Sequence, residues 1–202
     1  MNIIIRPTTP ADFETTETIT RDAFWDVYKP GCDEHFVLHN LRDNPAYIKE
    51  LDFVAVSDDQ VVGNIVYSRA KVIGENNQVY EVLTMGPVSV QPKLQQQGVG
   101  SQLILHSIQR AKELGYNSII IFGNPAYYHR FGFVSTQNYS IETSFGGYMD
   151  ACMALELGQN SLAGITGRFY EDEIFHCDPA ELEVFDKKFP HREKHVTDTQ
   201  LK

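Results

Sequence analysis

The most informative segment of the chain is Val88-Ser-Val-Gln-Pro-Lys-Leu-Gln-Gln-Gln-Gly-Val-Gly-Ser101, which joins a β-rich run to a helix predicted over about residues 101–114. The N–H groups in the first turn of a helix have no partner inside the helix. Gly98 and Gly100 carry no side chain, so an anion can approach these donors closely. The helix dipole adds positive potential at the same place. The stretch therefore predicts a phosphate or pyrophosphate site.

The spacing of the glycines separates this loop from two common nucleotide loops. A P-loop requires GxxxxGK[ST], which the chain lacks, and a dinucleotide fingerprint requires a third glycine where Leu103 stands. The pattern that remains is Gln95-x-x-Gly98-x-Gly100. It resembles the pyrophosphate loop of the GNAT superfamily of N-acetyltransferases, usually written Q/R-x-x-G-x-G/A.

A second block follows at the position that the resemblance requires. The apolar run Ile119–Phe122 predicts a buried strand, and Gly-Asn-Pro-Ala-Tyr-Tyr-His-Arg-Phe-Gly-Phe follows it as residues 123–133. An Asn directly after the strand and then Tyr-x-x-x-Gly-Phe are similar to the next block of the same superfamily. The order of strands and helices along residues 2–157 also fits it.

The flanking elements indicate an α/β fold. Phe53–Val56 and Val61–Arg69 are β-rich runs joined by a turn, which predicts a hairpin, and Tyr80–Val90 predicts a long strand interrupted at Met85–Pro87. Strand, helix and strand in this order imply two parallel strands joined by a right-handed crossover. The resemblance implies the GNAT-type fold, a mixed central sheet with splayed parallel strands flanked by helices. We expect residues 1–157 to form this domain and residues 158–202 to form an extension packed on it.

The composition limits the classes of partner. The chain has 202 residues, 17 Lys and Arg against 27 Asp and Glu, and a formal net charge of −10. This balance is unfavourable for binding to nucleic acid or to an anionic membrane, because both require basic side chains. The three cysteines form no CxxC pair. Together with the absence of a long apolar run, this predicts a cytoplasmic protein.

The resemblance implies acetyl-CoA as the cosubstrate. Backbone groups of Val88, Ser89 and Val90 would pair with its pantetheine arm in the gap between the splayed strands, and Asn124 would contact the same arm. The pyrophosphate would be held by Gln95, Gln96, Gln97, Gly98, Val99, Gly100 and Ser101. A purely structural alternative for Asn124 is an Asx turn that ends the strand.

The resemblance also implies acyl transfer by direct attack of an amine on the thioester. Backbone N–H groups in the irregular stretch Met85–Val88 would stabilise the carbonyl oxygen. Tyr128 matches the tyrosine that protonates the leaving thiolate, and its neighbour Tyr127 is the closest competitor. The structural alternative for Tyr128 is an aromatic ring that only packs on the strands.

No general base is evident in the sequence. Some members of the superfamily carry Glu on the central strand, 14 residues before the first glycine of the loop, and here that position is Thr84. Glu81 lies three residues earlier and faces the opposite side of a regular strand. The alternatives are a chain of water molecules or one of Glu34, His35 and His39, and for each of these side chains a solvated or capping role is the simpler interpretation.

The sequence thus predicts an enzyme that moves an acetyl group from acetyl-CoA to an amine, without a metal, because no ligand set is complete. The absence of a carboxylate at Thr84 leaves a second hypothesis, a catalytically idle acyl-CoA sensor. A nucleotide-phosphate binder of unrelated fold is a third. The acceptor and the oligomeric state, including a homodimer, stay open.

Overall fold

The computed structural model describes residues 2–200, which form both strands and helices. The strands are β1 (Ile4–Pro7), β2 (Phe53–Ser57), β3 (Gln60–Ile73), β4 (Val79–Val90), β5 (Ser118–Phe122), β6 (Val134–Ser135), β7 (Ile141–Glu142), β8 (Cys152–Glu156) and β9 (Gly167–Tyr170). The α-helices are α1 (Phe13–Phe24), α2 (Glu34–Leu41), α3 (Val99–Glu113), α4 (Pro125–Tyr128) and α5 (Pro179–Asp186).

The chain forms two compact units. The first contains the chain up to Val66, the segment Pro87–Ile104 and the chain from Glu173 onward. The second contains Tyr67–Gly86 and Leu105–Asp172. Strands β3 and β4 and helix α3 contribute residues to both.

The first unit is built on an antiparallel run of β1, β2 and β3. The predicted hairpin is confirmed: Ser57 pairs with Gln60, and Asp58 and Asp59 between them have φ values of 48° and 59°. Positive φ at both central residues gives the turn the twist of the strands it joins. Helix α2 packs Leu38 and Leu41 against Val66 of β3.

The second unit contains the mixed part of the sheet. Strands β4 and β5 pair in parallel, as predicted, with Leu83 opposite Ile119. β5 pairs antiparallel with β8, and β8 with β6. β9 pairs antiparallel with β3 and parallel with β7. One apolar cluster lies on this sheet and contains Ala70, Val72, Val82, Ile120, Ile141, Cys152, Ala154, Leu162 and Phe169.

Several element boundaries differ from the sequence-based prediction. Strand β4 runs from Val79 to Val90 without a break, and Gly86 within it has a φ of 148°, a conformation that glycine tolerates. Helix α3 begins at Val99, two residues before the predicted start. Strand β9 was not predicted, since its four residues show no alternation between apolar and polar side chains.

Across residues 2–200, no helix is both long and apolar enough to span a lipid bilayer.

Candidate active site

The predicted phosphate loop forms a tight connection into α3. Pro92–Leu94 make one 3₁₀ turn, Gln96 has a φ of 60° and Gly98 a φ of 86°. The Gly98 carbonyl accepts the N–H of Gln102 at 3.1 Å. This bond makes Gly98 the residue that caps α3, so the next three N–H groups, those of Val99, Gly100 and Ser101, belong to the first turn and have no acceptor within the helix.

The reason for glycine at position 98 is its backbone conformation. A Cβ built on Gly98 would meet no atom within 4 Å, so the space is open, while the φ of 86° lies in the left-handed region that L-residues avoid. The loop therefore presents an exposed turn at the positive end of a 15-residue helix. Its chemistry suits an anion held by backbone N–H groups.

Two of the three glutamine side chains of the loop donate hydrogen bonds to nearby backbone carbonyls. The Gln95 side-chain amide donates to the Val90 carbonyl at 3.2 Å, and the Gln97 amide donates to the Lys93 carbonyl at 3.1 Å. These bonds fix the course of the chain between β4 and α3. They leave the main-chain N–H groups as the donors that face a ligand.

The end of β4 is held by a buried polar network. The Ser89 hydroxyl donates to the Asn64 side-chain oxygen at 2.5 Å and bonds the Thr20 hydroxyl at 2.9 Å. Because the Ser89 side chain is used in this network, only its backbone remains for a cofactor. Val88 is half-buried and Val90 is buried.

Tyr128 lies at the end of α4, where its ring packs against Gly123. A Cβ on Gly123 would lie 2.4 Å from Cε2 of Tyr128, so only glycine permits this approach. The rings of Tyr127 and Phe133 contact the Tyr128 ring edge-on, with centroids at 5.1 and 5.6 Å. The half-buried ring of Tyr128 is thus packed between Gly123 and two aromatic rings, which restrict its orientation.

Asn124 caps α4. Its side-chain oxygen accepts the N–H of Ala126 at 2.9 Å, so the Asx turn foreseen as the structural alternative is present. The residue is exposed, and its amide nitrogen is the group that can donate to a ligand.

The parallel strands β4 and β5 pair at Leu83 and Ile119, and β5 continues for three residues beyond that pair, to Phe122. No other register position joins the two strands within residues 2–200. This arrangement is what splayed strands require, since pairing must stop before a cofactor can pair with their edges.

A carboxylate that the sequence analysis missed lies next to Thr84. The Thr84 hydroxyl donates to Oε1 of Glu171 at 3.4 Å, a long hydrogen bond. Glu171 directly follows β9 and is partly exposed. Burial of its carboxyl raises its pKa to about 7, against the lowering effect of the Thr84 bond. No sequence signal points to it, because it is distant in the chain from every motif of the site.

The other candidate bases are placed less favourably. His35 is fully buried between the rings of Phe185 and Phe189, and its burial lowers its pKa to about 4. His39 Nδ1 lies 2.9 Å from Oε1 of Glu17. Glu81 is exposed whereas Thr84 is 1% exposed, so they lie on opposite faces of β4, as expected.

Glu34 stands at the start of α2, where burial raises its pKa to about 7. Its carboxylate accepts the N–H of Asp33 at 3.2 Å. In the part of the chain that the structure describes, His, Cys, Asp and Glu form no group of three suited to a metal ion.

Comparison with known proteins gives consistent matches. Residues 50–135 match the family model of the acetyltransferase (GNAT) domain. The uncharacterised N-acetyltransferase YhbS of Escherichia coli K12 is 29% identical over 175 residues, which cover 86% of this chain and 99% of that protein. The crystal structure of E. coli YhbS in complex with CoA superposes with a TM-score of 0.78 at 26% identity, covering 88% of this chain and 93% of that chain. A GNAT family acetyltransferase from Brucella melitensis in complex with acetyl-CoA gives a TM-score of 0.69 at 25% identity, covering 86% and 98%.

Proposed function

Because the chain belongs to the GNAT superfamily of N-acetyltransferases, we propose that it transfers the acetyl group of acetyl-CoA to a primary amine by direct attack of the amine. The observation that carries this proposal is the loop from Gln95 to Ser101. Its glycine cap at positive φ presents the first-turn N–H groups of α3 to an anion. The two neighbours described with CoA and with acetyl-CoA support the same ligand.

The proposed contacts to the cosubstrate are made mainly by backbone. Residues 95–101 hold the pyrophosphate, and Val88, Ser89 and Val90 offer main-chain groups to the pantetheine arm. Asn124 donates to that arm through its amide nitrogen. Backbone recognition suits a polar, extended ligand, because every residue supplies one donor and one acceptor in fixed directions.

Tyr128 is the proposed acid. When the amine nitrogen bonds to the thioester carbon, the bond from carbon to sulfur breaks and a thiolate leaves. A phenol is protonated at neutral pH and can donate to this thiolate. The packing of the ring against Gly123 and Phe133 holds the hydroxyl in one orientation, which lowers the entropic cost of the transfer.

Calorimetry and a thiol-release assay test the proposal together. Acetyl-CoA is titrated into the purified protein, and release of CoA is then followed with a panel of free amino acids, alkylamines and short peptides. We expect binding at sub-millimolar concentration and turnover with at least one amine. Absence of binding would remove the cosubstrate assignment.

The second candidate is an acyl-CoA sensor without catalysis. The observation that favours it is Thr84, which places no carboxylate on β4 at the position where some relatives carry Glu. The same assay separates the two functions, since a sensor binds acetyl-CoA and releases no CoA with any amine.

Three further expectations remain proposals. They are a cytoplasmic location, a domain of residues 1–157 with an extension of residues 158–202, and the formation of a homodimer. Gel filtration with light scattering measures the last of these.

A further inference from the structure

The C-terminal segment brings a carboxylate to the position where the central strand lacks one. β9 pairs with β3 through three register positions, with Tyr170 opposite Lys71, and Glu171 is the next residue. This pairing fixes the backbone on the N-terminal side of Glu171. Its carboxylate accepts the Thr84 hydroxyl.

The ring contact of a nearby residue and one electrostatic effect indicate that Glu171 is near the ends of the parallel strands. The Phe169 ring contacts the Phe122 ring, with centroids 5.9 Å apart, and Phe122 is the last residue of β5. Phe122 pairs with Cys152 of β8, and the pKa of the Cys152 thiol is raised by burial and further by the Glu171 charge. Glu171 thus contacts β4 at Thr84, the residue after Leu83, where the pairing of β4 with β5 stops.

The environment leaves this carboxylate able to accept a proton. No Lys, Arg or His within residues 2–200 forms an ion pair with Glu171. Within residues 2–200 its hydrogen bond from Thr84 is long, and its side chain is partly exposed. Buried carboxylates with a structural role are normally paired or accept several hydrogen bonds. Among the described residues, Glu171 has no ion pair and only a long hydrogen bond, so its carboxylate oxygens can accept a proton from a bound substrate.

We propose that Glu171 is the general base of the acetyl transfer, supplied by β9 next to Thr84 rather than by β4 itself. This inference rests on the proposed function. It also implies that the amine arrives as an ammonium ion, since a carboxylate attracts that charge and removes its proton. The pKa of about 7 keeps half of the carboxyl groups ionised at neutral pH.

The protons of the reaction then balance. Glu171 accepts one proton from the ammonium ion and releases it to water after the reaction. The neutral nitrogen forms a bond to the thioester carbon, and the bond from carbon to sulfur breaks. The thiolate takes the proton of Tyr128, and the second proton that nitrogen loses restores the Tyr128 phenol. The products are the N-acetyl amine and CoA.

The test compares the pH dependence of kcat/KM in the wild type and in Glu171→Gln. Thiol release is followed from pH 5.5 to 9.5 with the best amine of the panel, or with water as acceptor if no amine reacts. We expect the wild-type rate to rise with pH and level off above about 7. Glu171→Gln should be at least about 10²-fold slower at pH 7, and its rate should keep rising toward the pKa of the amine.

Two control variants make the comparison specific. Glu173→Gln removes an exposed carboxylate two residues away and should keep the wild-type rate and profile. Glu34→Gln removes the other carboxyl whose pKa is about 7. Acetyl-CoA affinity of Glu171→Gln within twofold of the wild type shows that the fold and the cosubstrate site persist.

The outcomes distinguish the two proposals. A wild type that binds acetyl-CoA but neither acetylates an amine nor hydrolyses the thioester overturns the proposed function and this inference with it. An active wild type with a Glu171→Gln rate within threefold and an unchanged profile overturns the inference alone. Loss of the acidic limb in Glu34→Gln instead of Glu171→Gln assigns the base to Glu34.

Discussion

The ring of Tyr128 lies against the α-carbon of Gly123, so close that a Cβ at that position would be 2.4 Å from Cε2. Gly123 directly follows β5, and Tyr128 ends α4, so the contact closes the short connection between strand and helix. The glycine is required by its neighbour's ring rather than by its own backbone angles. Because of this contact, a substitution at Gly123, which has no reactive side chain, tests whether the orientation of the Tyr128 ring matters for catalysis.

Gly123→Ala should lower kcat by displacing the Tyr128 ring, with acetyl-CoA affinity nearly unchanged. We expect a loss of about 10-fold or more, because a small misplacement of a reacting group is costly. The double variant Gly123→Ala/Tyr128→Phe should be no slower than Tyr128→Phe alone. If the loss of kcat in the double variant equals the product of the two single losses, Gly123 acts on something other than Tyr128.

Tyr128→Phe should reduce kcat by about 10²-fold, the usual contribution of a positioned acid. Steady-state thiol release measures kcat, and calorimetry measures acetyl-CoA binding, which should persist. The matched control is Tyr127→Phe, which removes the hydroxyl of the ring that contacts Tyr128 edge-on. Equal effects of the two variants would contradict the assignment.

Gly98→Ala should weaken acetyl-CoA binding by about 10-fold, because the left-handed cap positions the first N–H groups of α3. Gly115→Ala is the control at the other end of the same helix. Gly115 has a φ of 84° and, like Gly98, has no atom within 4 Å of a built Cβ. Both variants should lose about 1 kcal/mol of stability, and only Gly98→Ala should lose affinity. Equal loss of affinity in both would indicate a general effect of helix stability.

Thr84→Val should move the acidic limb of kcat/KM to higher pH. The Thr84 bond lowers the pKa of Glu171, so its removal raises that pKa and delays ionisation of the base as pH rises. The same pH series used for Glu171→Gln measures the shift. If the acidic limb stays in place or moves to lower pH, the group that titrates in kcat/KM is not hydrogen-bonded to Thr84.

His35 should make the fold sensitive to acid. Its folded pKa of about 4 lies below the ordinary value of 6.5, because burial disfavours the charged ring. Its contribution to stability is therefore complete above pH 6.5 and is lost as pH falls toward 4, by up to about 3 kcal/mol. Urea unfolding at several pH values should show a steeper decline for the wild type than for His35→Gln.

The control for that series is His39→Gln, one turn further along α2. His39 is partly exposed beside Glu17. Its removal should leave the slope between pH 6.5 and 4 close to that of the wild type. A wild-type slope equal to that of His35→Gln would mean that His35 titrates normally in the folded protein.

The features that could be predicted from the sequence alone are those set by short stretches of chain. The glycines at 98 and 100 marked the start of α3, the run Ile119–Phe122 marked a buried strand, and the residues at 57–60 marked a hairpin. Each of these signals acts over a few neighbouring residues, through backbone angles, capping and hydrophobic burial, so it can be read without knowing the rest of the fold. Tyr128 and Asn124 were named in another way, from the resemblance of residues 123–133 to a block of the GNAT superfamily, which is also a pattern of a few neighbouring residues.

The origin of the carboxylate next to Thr84 became visible only in the folded chain. Glu171 is 87 residues from Thr84 along the chain, and β9 carries no periodic pattern that would have placed it. Its position is set by pairing with β3 and by burial of Phe169 in the cluster of the second unit. Pairing between distant strands and the low polarity around a carboxyl group are properties of the folded chain, and no short stretch of sequence contains either.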